Sequence, residues 1–346
     1  MTRNRKEAEL NKYASRAVSQ GKRVLRAALV NFTGPYARER RQVQAGVERY
    51  SGLRERSLAI YELRRHVHMI EKGLSMRPRR SVFALDYIES TVHTYAAVMS
   101  GQGTKQLGER EVLWMQSVLA DYFEATRAAG RPELERLEAV FTEANPGAAD
   151  RDHGPHHPNM DDSIVPVSEL SRLAHSRRSV RWFLPDPVPR SIIDAAVRIG
   201  SEAPTACNRQ PYRFVVFDDP VDVARVSRVP MGTRGYADQI RGIIVVVGDL
   251  SAIFDKRDRH LIYVDSCLAS MGLLLGLESQ GVGSCVINWP DMPDKEREMA
   301  GLLNLDKHEK VIMLIGYGWP DPEGLVPYSA KAELDDLRRY GTLRSV

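Results

Sequence analysis

Cysteine is scarce in this chain: three among 346 residues, Cys207, Cys267 and Cys285, too few for a disulfide framework. Two of the three fall in stretches expected to be buried, and a reducing cytoplasm is the expected location. Aromatic residues make up only 7%, so there are few rings to stack on the bases of a nucleic acid. No apolar run approaches the roughly 18 residues of a membrane helix. Residues 1–30 are polar and basic, without the short apolar core of a signal peptide, so none is expected. No GxGxxG fingerprint follows a strand. Gly232-Thr-Arg-Gly235 is a tight loop, but it lacks the preceding strand and the spacing of a P-loop. A nicotinamide cofactor would therefore have no Rossmann site of its own. No Ser/His/Asp or Cys/His pattern asks for covalent catalysis, and no residue is singled out as catalytic.

Metal ligation is equally thin. His68 and Glu71, three apart, would share a helix face as ligands can, yet no third ligand is evident nearby. His153, His156 and His157 fall in a polar stretch that reads as a solvated linker. No metal site is expected.

What is present is the composition of a globular protein, 43% apolar and 27% charged, in a chain long enough for two domains. The net charge of +4 hides an asymmetry. Residues 1–80 carry 20 Lys and Arg against 7 Asp and Glu, +13; the remainder carries 29 against 38, −9. A basic N-terminal half could draw nucleic acid, anionic lipid or an acidic partner, with the C-terminal half as sensor or scaffold. Solvated surface helices explain the same arginines. No nucleic-acid motif is recognisable, and the loose apolar stripe from Val18 to Val30 lacks the bulky aromatic face of a membrane-surface helix. Nucleic-acid and membrane contacts are not expected.

The patterning divides the chain into residues 1–145, rich in helix formers and broken near Gly34-Pro35, a linker over 146–163, and a domain over 164–346. Helices are expected at about Leu107–Ala129 and Pro132–Ala144, with Gly73 ending an earlier one. From Ile164 helices alternate with apolar strands: Phe214–Phe217, Gly242–Gly248, Val282–Asn288 and Lys310–Tyr317. The run GIIVVVG is apolar enough to be buried on both faces. Pro189 suits the first turn of a helix that closes at Gly200. In the helix from His260 to Gln280, Asp265, Ala269, Gly272 and Gly276 make one side small, and Leu268, Met271 and Leu275 form a bulky ridge beside it. This alternation argues for an α+β or α/β sandwich.

The chemistry concentrates between Ser176 and Phe214. SRRSVRWF places Arg177, Arg178, Ser179 and Arg181 within five residues, just after the amphipathic stretch Val167–Ala174. Guanidiniums clustered near a helix end suit a phosphate or another oxyanion. Further on, Pro204, Thr205, Asn208 and Gln210 form a polar loop before a strand, with groups able to read the edge of a planar heterocycle.

SRRSVRWF, the following PVP and APTACNRQPYRFVV together resemble the opening of the FMN-dependent nitroreductase family. SCVINW, IGYGWP and VPYSAKAEL extend the resemblance, which covers about residues 167–340. The block from 64 to 88, with its EKGLSM, is similar to a subgroup found in bacterial polysaccharide gene clusters. The resemblance implies a nitroreductase-like α/β sandwich, a mixed sheet flanked by helices in an intertwined dimer, preceded by an all-helical region. It implies that Arg177, Arg178, Ser179, Arg181, Ser329 and Lys331 grip the FMN phosphate and ribityl chain. Lys331 stands where the family often has Arg, keeping the charge but losing the bidentate fork. Pro204, Thr205, Ala206, Asn208 and Gln210 would lie beside the isoalloxazine ring, with Ile287 and Asn288 at one ring face. NAD(P)H would deliver hydride to flavin N5, and an oxidised small molecule of nitro, quinone or enone type would then take its place in a ping-pong scheme. The small-faced helix would be the seam of a homodimer. Cys207, without a resolving partner nearby, is not expected to be redox-active.

Overall fold

The computed structural model describes residues 34–56, 58–102, 107–147, 151–158 and 165–341, so the stripe from Val18 to Val30 lies outside the described residues. Among the described residues five α-helices come first: α1 (Pro35–Arg54), α2 (Ile60–Leu74), α3 (Ile88–Ala97), α4 (Glu109–Thr126) and α5 (Pro132–Glu143). Gly73 falls at the end of α2 as expected, one residue before the last helical position Leu74; a Cβ there would stand 2.4 Å from the Phe83 ring, so the glycine also makes room for an aromatic side chain. Helices α2 to α5 close around their own core, with Leu63, Val67, Tyr95, Val118 and Leu119 fully buried. Residues 151–158, expected to be solvated, are exposed except for Gly154 and run along α4. The His153 N–H donates to Ser117 Oγ at 3.3 Å, Arg151 pairs with Glu124, and Gly154 is buried.

The C-terminal half contains α6 (Val167–Ser176), α7 (Arg190–Ser201), β1 (Tyr212–Phe217), α8 (Pro220–Ser227), β2 (Gly242–Asp249), α9 (Leu261–Glu278), β3 (Gly283–Asn288), α10 (Pro293–Leu303), β4 (Glu309–Gly318) and the short α11 (Leu334–Leu337). The four strands form one sheet in the order β1-β2-β4-β3, and all three ladders are antiparallel. The mixed character expected of this sheet is confined to one parallel bridge, Ser179 to Ser284 at its edge. β2 is buried along its whole length, as its sequence predicts. Its alternate residues serve two cores. Ile244 and Val246 pack with Ile193, Leu273 and Leu277 on one face, and Ile243, Val245 and Val247 pack with Val223 and Met299 on the other. Helix α1 packs with the sheet half, inserting Val43 into the first of these cores.

The pairing of α7 with α9 gives two expectations their physical reason. Gly200 falls at the end of α7 as expected, one residue before Ser201, and a Cβ on it would meet the Ala269 carbonyl oxygen at 2.6 Å. Gly272 and Gly276 complete the contact, 3.0 Å from Gly200 Cα and 2.9 Å from Ala196 Cα at the position of an added Cβ. The small face of α9 is therefore used within the chain, while the neighbouring Val264, Leu268 and Met271 are exposed. The stretch 256–278 is also long and apolar enough to cross a membrane by length and composition, an 18-residue window within it having a mean hydropathy of 1.5, contrary to the expectation that no such run exists. It is a core helix: half of that window is buried, and Ile262, Leu273 and Leu277 are completely so.

Candidate functional site

Helix α6 ends at the arginine cluster, and the backbone beyond it is stitched to two other segments. The Val180 N–H donates to Ser284 O at 3.0 Å on the edge of β3, and the Leu184 N–H donates to Trp319 O at 2.8 Å just after β4. Gly283 permits the first approach, because a Cβ would stand 2.9 Å from Val180 Cγ2. These ties bring Arg177, Arg178 and Ser179 against Tyr328, Ser329 and Lys331, distant in sequence, around a cavity of about 250 Å³. Among the described residues no carboxylate lines this cavity and no ion pair engages Arg177, Arg178 or Lys331. Unpaired cations beside two hydroxyls fit a phosphate or another oxyanion. Arg178 spends part of its fork on the end of α6, donating to the carbonyls of His175 and Arg177, the latter at 3.0 Å.

Arg181 faces elsewhere. Its guanidinium sits over the Tyr236 ring, 5.6 Å from the centroid. The Tyr236 hydroxyl is pushed up to about 12 by burial, with Cys285 Sγ 3.9 Å away as the next cause.

The loop from Pro204 to Gln210 is a separate construction. Cys207, Asn208 and Gln210 all have positive φ, at 54°, 52° and 51°. For residues with a Cβ, each such conformation costs on the order of 1 kcal/mol, so the surroundings must enforce it. The Ala206 N–H donates to Asp265 Oδ2 at 3.2 Å, and the Gln210 N–H donates to Thr205 Oγ1 at 3.2 Å. The Gln210 amide donates to Asn208 Oδ1 at 3.1 Å. Burial pushes the Asp265 carboxyl up, and its bond to the Ala206 N–H pulls it back. Arg209 is the internal strut: 4% exposed, it reaches Ala206 O at 2.9 Å, Ala252 O at 3.1 Å and the Asp258 carboxylate at 3.2 Å. Sequence reasoning passed over Arg209, since a basic residue in a polar loop gives no sign of being buried.

Ile287 and Asn288 part company on β3. Ile287 is 2% exposed within the core, whereas Val286 and Asn288 face outward. The chain thus gathers Arg177, Arg178, Ser179, Ser329 and Lys331 in one cavity, and Pro204, Thr205, Ala206, Asn208 and Gln210 are not among its lining residues. The groups weighed as metal ligands have other partners: His68 Nδ1 lies 3.3 Å from Glu71 Oε2, Glu71 Oε1 accepts from Trp114 Nε1 at 3.1 Å, and no cluster able to hold a metal exists among the described residues.

With this geometry in hand, the comparison with known proteins is direct: residues 174–233 and 235–319 match the model of the Nitroreductase family. This segment is a nitroreductase-family domain. The coarse activity that goes with membership is flavin-dependent oxidoreduction. A NADH dehydrogenase of Thermus thermophilus is 25% identical over 194 residues, spanning 47% of this chain and 92% of that protein. A human iodotyrosine deiodinase 1 is 23% identical over 254 residues, 61% of this chain and 86% of that one. A solved structure of a putative NADH dehydrogenase/NAD(P)H nitroreductase from Parabacteroides distasonis is 25% identical, covering 50% of this chain and 99% of that chain, with a TM-score of 0.44.

Proposed function

We propose that the chain is an FMN-dependent oxidoreductase that takes reducing equivalents from NAD(P)H and passes them to a small oxidised acceptor of nitro, quinone or enone type, in a ping-pong scheme. The observation that carries the flavin assignment is the cavity at the end of α6, where Arg177, Arg178 and Lys331 meet Ser179 and Ser329 with no carboxylate among the described lining residues. When bound there, FMN would supply the two-electron redox chemistry. Arg177 and Lys331 neutralise the phosphate, and Ser179 and Ser329 donate hydroxyl hydrogen bonds to it. Asn208 and the backbone around it present donors and acceptors to the ring edge.

The active unit in this reading is a homodimer. Val264, Leu268 and Met271 on α9, Val167 and Leu170 on α6, and Leu325, Tyr328 and Leu337 in the tail are all exposed, a set of apolar side chains that a second copy would cover. The same arrangement accounts for a ring loop standing apart from the phosphate cavity, since each half-site is completed by the other chain. The deiodinases among the relatives show that the fold serves more than one acceptor, so the acceptor class rests on the nitroreductase resemblance alone.

Comparing FMN with riboflavin tests the assignment. The phosphate is expected to tighten binding about 100-fold, and Lys331→Ala or Arg177→Ala to remove roughly tenfold of that without weakening riboflavin. Equal affinity for the two flavins, unchanged by either substitution, would overturn the phosphate assignment.

A further inference from the structure

We propose that the N-terminal helical half acts as a clamp on the 204–210 loop, and that Arg64 on α2 is the positioning residue through which it acts. This rests on the flavin reading above for its functional meaning, though not for its geometry. The Arg64 fork is divided. Its Nε and Nη2 are held by the Glu111 carboxylate of α4, the latter at 3.1 Å, and its Nη1 donates to the Arg209 carbonyl at 3.1 Å. The pair is largely buried, with side chains 16% and 20% exposed. Glu111 fixes the plane of the guanidinium, and that plane aims the remaining nitrogen at the loop. A lysine could not divide its donors this way.

Three features make the contact more than incidental packing. Arg209 lies between Asn208 and Gln210, two of the residues held at positive φ, so its carbonyl belongs to the strained part of the loop. Among the described residues Arg64 makes the only hydrogen bond from the helical bundle to that carbonyl, while the Arg209 side chain is tied to Ala252 and Asp258 in the sheet half. Finally, the same helix holds the end of the loop. The Tyr61 hydroxyl donates to Asp249 Oδ2 at 2.9 Å, and the Asp249 N–H donates to Pro211 O at 2.8 Å. The helices thus set the conformation of the segment that presents Asn208 and Gln210, in the same chain and without contributing a group to the ring itself.

The test is amide hydrogen exchange on the full-length protein, first without flavin, for wild type, Arg64→Ala, Arg64→Lys and Glu111→Gln, with Arg110→Ala as a control. Arg110 reaches Glu202 only through an exposed pair at 3.6 Å. Arg64→Ala is expected to speed exchange across residues 203–212 by about tenfold, the factor carried by one charge-assisted hydrogen bond. Arg64→Lys should recover little of this, Glu111→Gln should shift it in the same direction by less, and Arg110→Ala should leave it unchanged. Peptides from the cores of α4 and α5 should keep wild-type exchange in all four variants. With FMN added, Arg64→Ala should alter the visible circular dichroism of the bound flavin while FMN retains its affinity advantage over riboflavin. Unchanged loop exchange in Arg64→Ala overturns the clamp. So does loosening of the α4 and α5 peptides to the same extent, which would make Arg64 a strut of the bundle only. A protein that takes up no FMN refutes the flavin reading, and the exchange result without flavin still decides the clamp.

Discussion

Replacing Gly200 by alanine probes the contact that sets the spacing of α7 and α9. The added Cβ would stand 2.6 Å from the Ala269 carbonyl oxygen, 3.1 Å from the Leu273 nitrogen and 3.2 Å from Leu273 Cβ. The two nearest atoms are backbone in the middle of a helix, so neither can swing aside as a flexible side chain would. Taken alone, glycine to alanine within a helix stabilises by at most about 1 kcal/mol. Forcing an extra carbon into a closed contact costs about 1–3 kcal/mol, and a backbone neighbour places this site in the upper half of that range. The expected balance is a net loss of about 1–2 kcal/mol, or a melting temperature lower by about 1–3 °C in a chain of this size. Gly52→Ala on α1 is the control, because nothing lies within 4 Å of its added atom, and it should stabilise slightly. Thermal melts by circular dichroism, supported by urea midpoints at constant slope, make the comparison. Because α7 leads into the 204–210 loop and Asp265 sits one turn before Ala269, the same displacement should stretch the Ala206–Asp265 bond and weaken FMN binding. If Gly200→Ala is as stable as Gly52→Ala, the helices do not meet at this distance and the reasoning fails.

Two further outcomes follow from buried titratable groups. Burial holds the His66 imidazole down to about 4, with Arg65 and Arg54 adding to the effect, and the nearby Glu62 carboxylate is committed to Arg54 at 3.0 Å. A pKa lowered on folding means that the neutral ring's contribution is complete above about pH 6.5 and is lost as the pH falls from there towards 4, to a total of about 3 kcal/mol. His66→Asn, which keeps a donor for Thr91, should flatten the stability profile in that window, and parallel profiles for variant and wild type would contradict the account. Asp265→Ala leaves the Ala206 N–H without its acceptor and should destabilise by about 1–3 kcal/mol in thermal melts. Asp265→Asn, which keeps an acceptor and sheds a charge that burial disfavours, should stay within about 1 kcal/mol of wild type, and equal losses in the two variants would refute the role given to that bond.

Much of this fold is written in local pattern. The apolar run of β2, Pro189 at the start of α7 and the glycine after α9 each produce the predicted element with nearly the predicted bounds. Gly73 and Gly200 each fall within one residue of the helix end expected there, but the sequence does not tell why a glycine is needed; only the neighbour, Phe83 or Ala269, shows that each makes room for a close approach. The small face of α9 announces a close approach without naming the partner, which is α7 of the same chain. At the site, the clustering of Arg177, Arg178 and Ser179 is local and legible, while their meeting with Ser329 and Lys331 depends on pairing to β3 and to the segment after β4 and was reached only through resemblance. Arg64 and Arg209 left no signal at all, because a buried cation is defined by partners on other elements, Glu111 for one and Ala252 and Asp258 for the other.

The central claim is that this chain holds FMN and is reduced by a nicotinamide. The visible spectrum of the purified protein, reconstituted with FMN and then mixed with NADH or NADPH in the absence of oxygen, tests it most directly. The account predicts a bound-flavin spectrum that bleaches on addition of one of the two donors. A protein that stays colourless after incubation with FMN, or a bound flavin that neither donor bleaches, would contradict it.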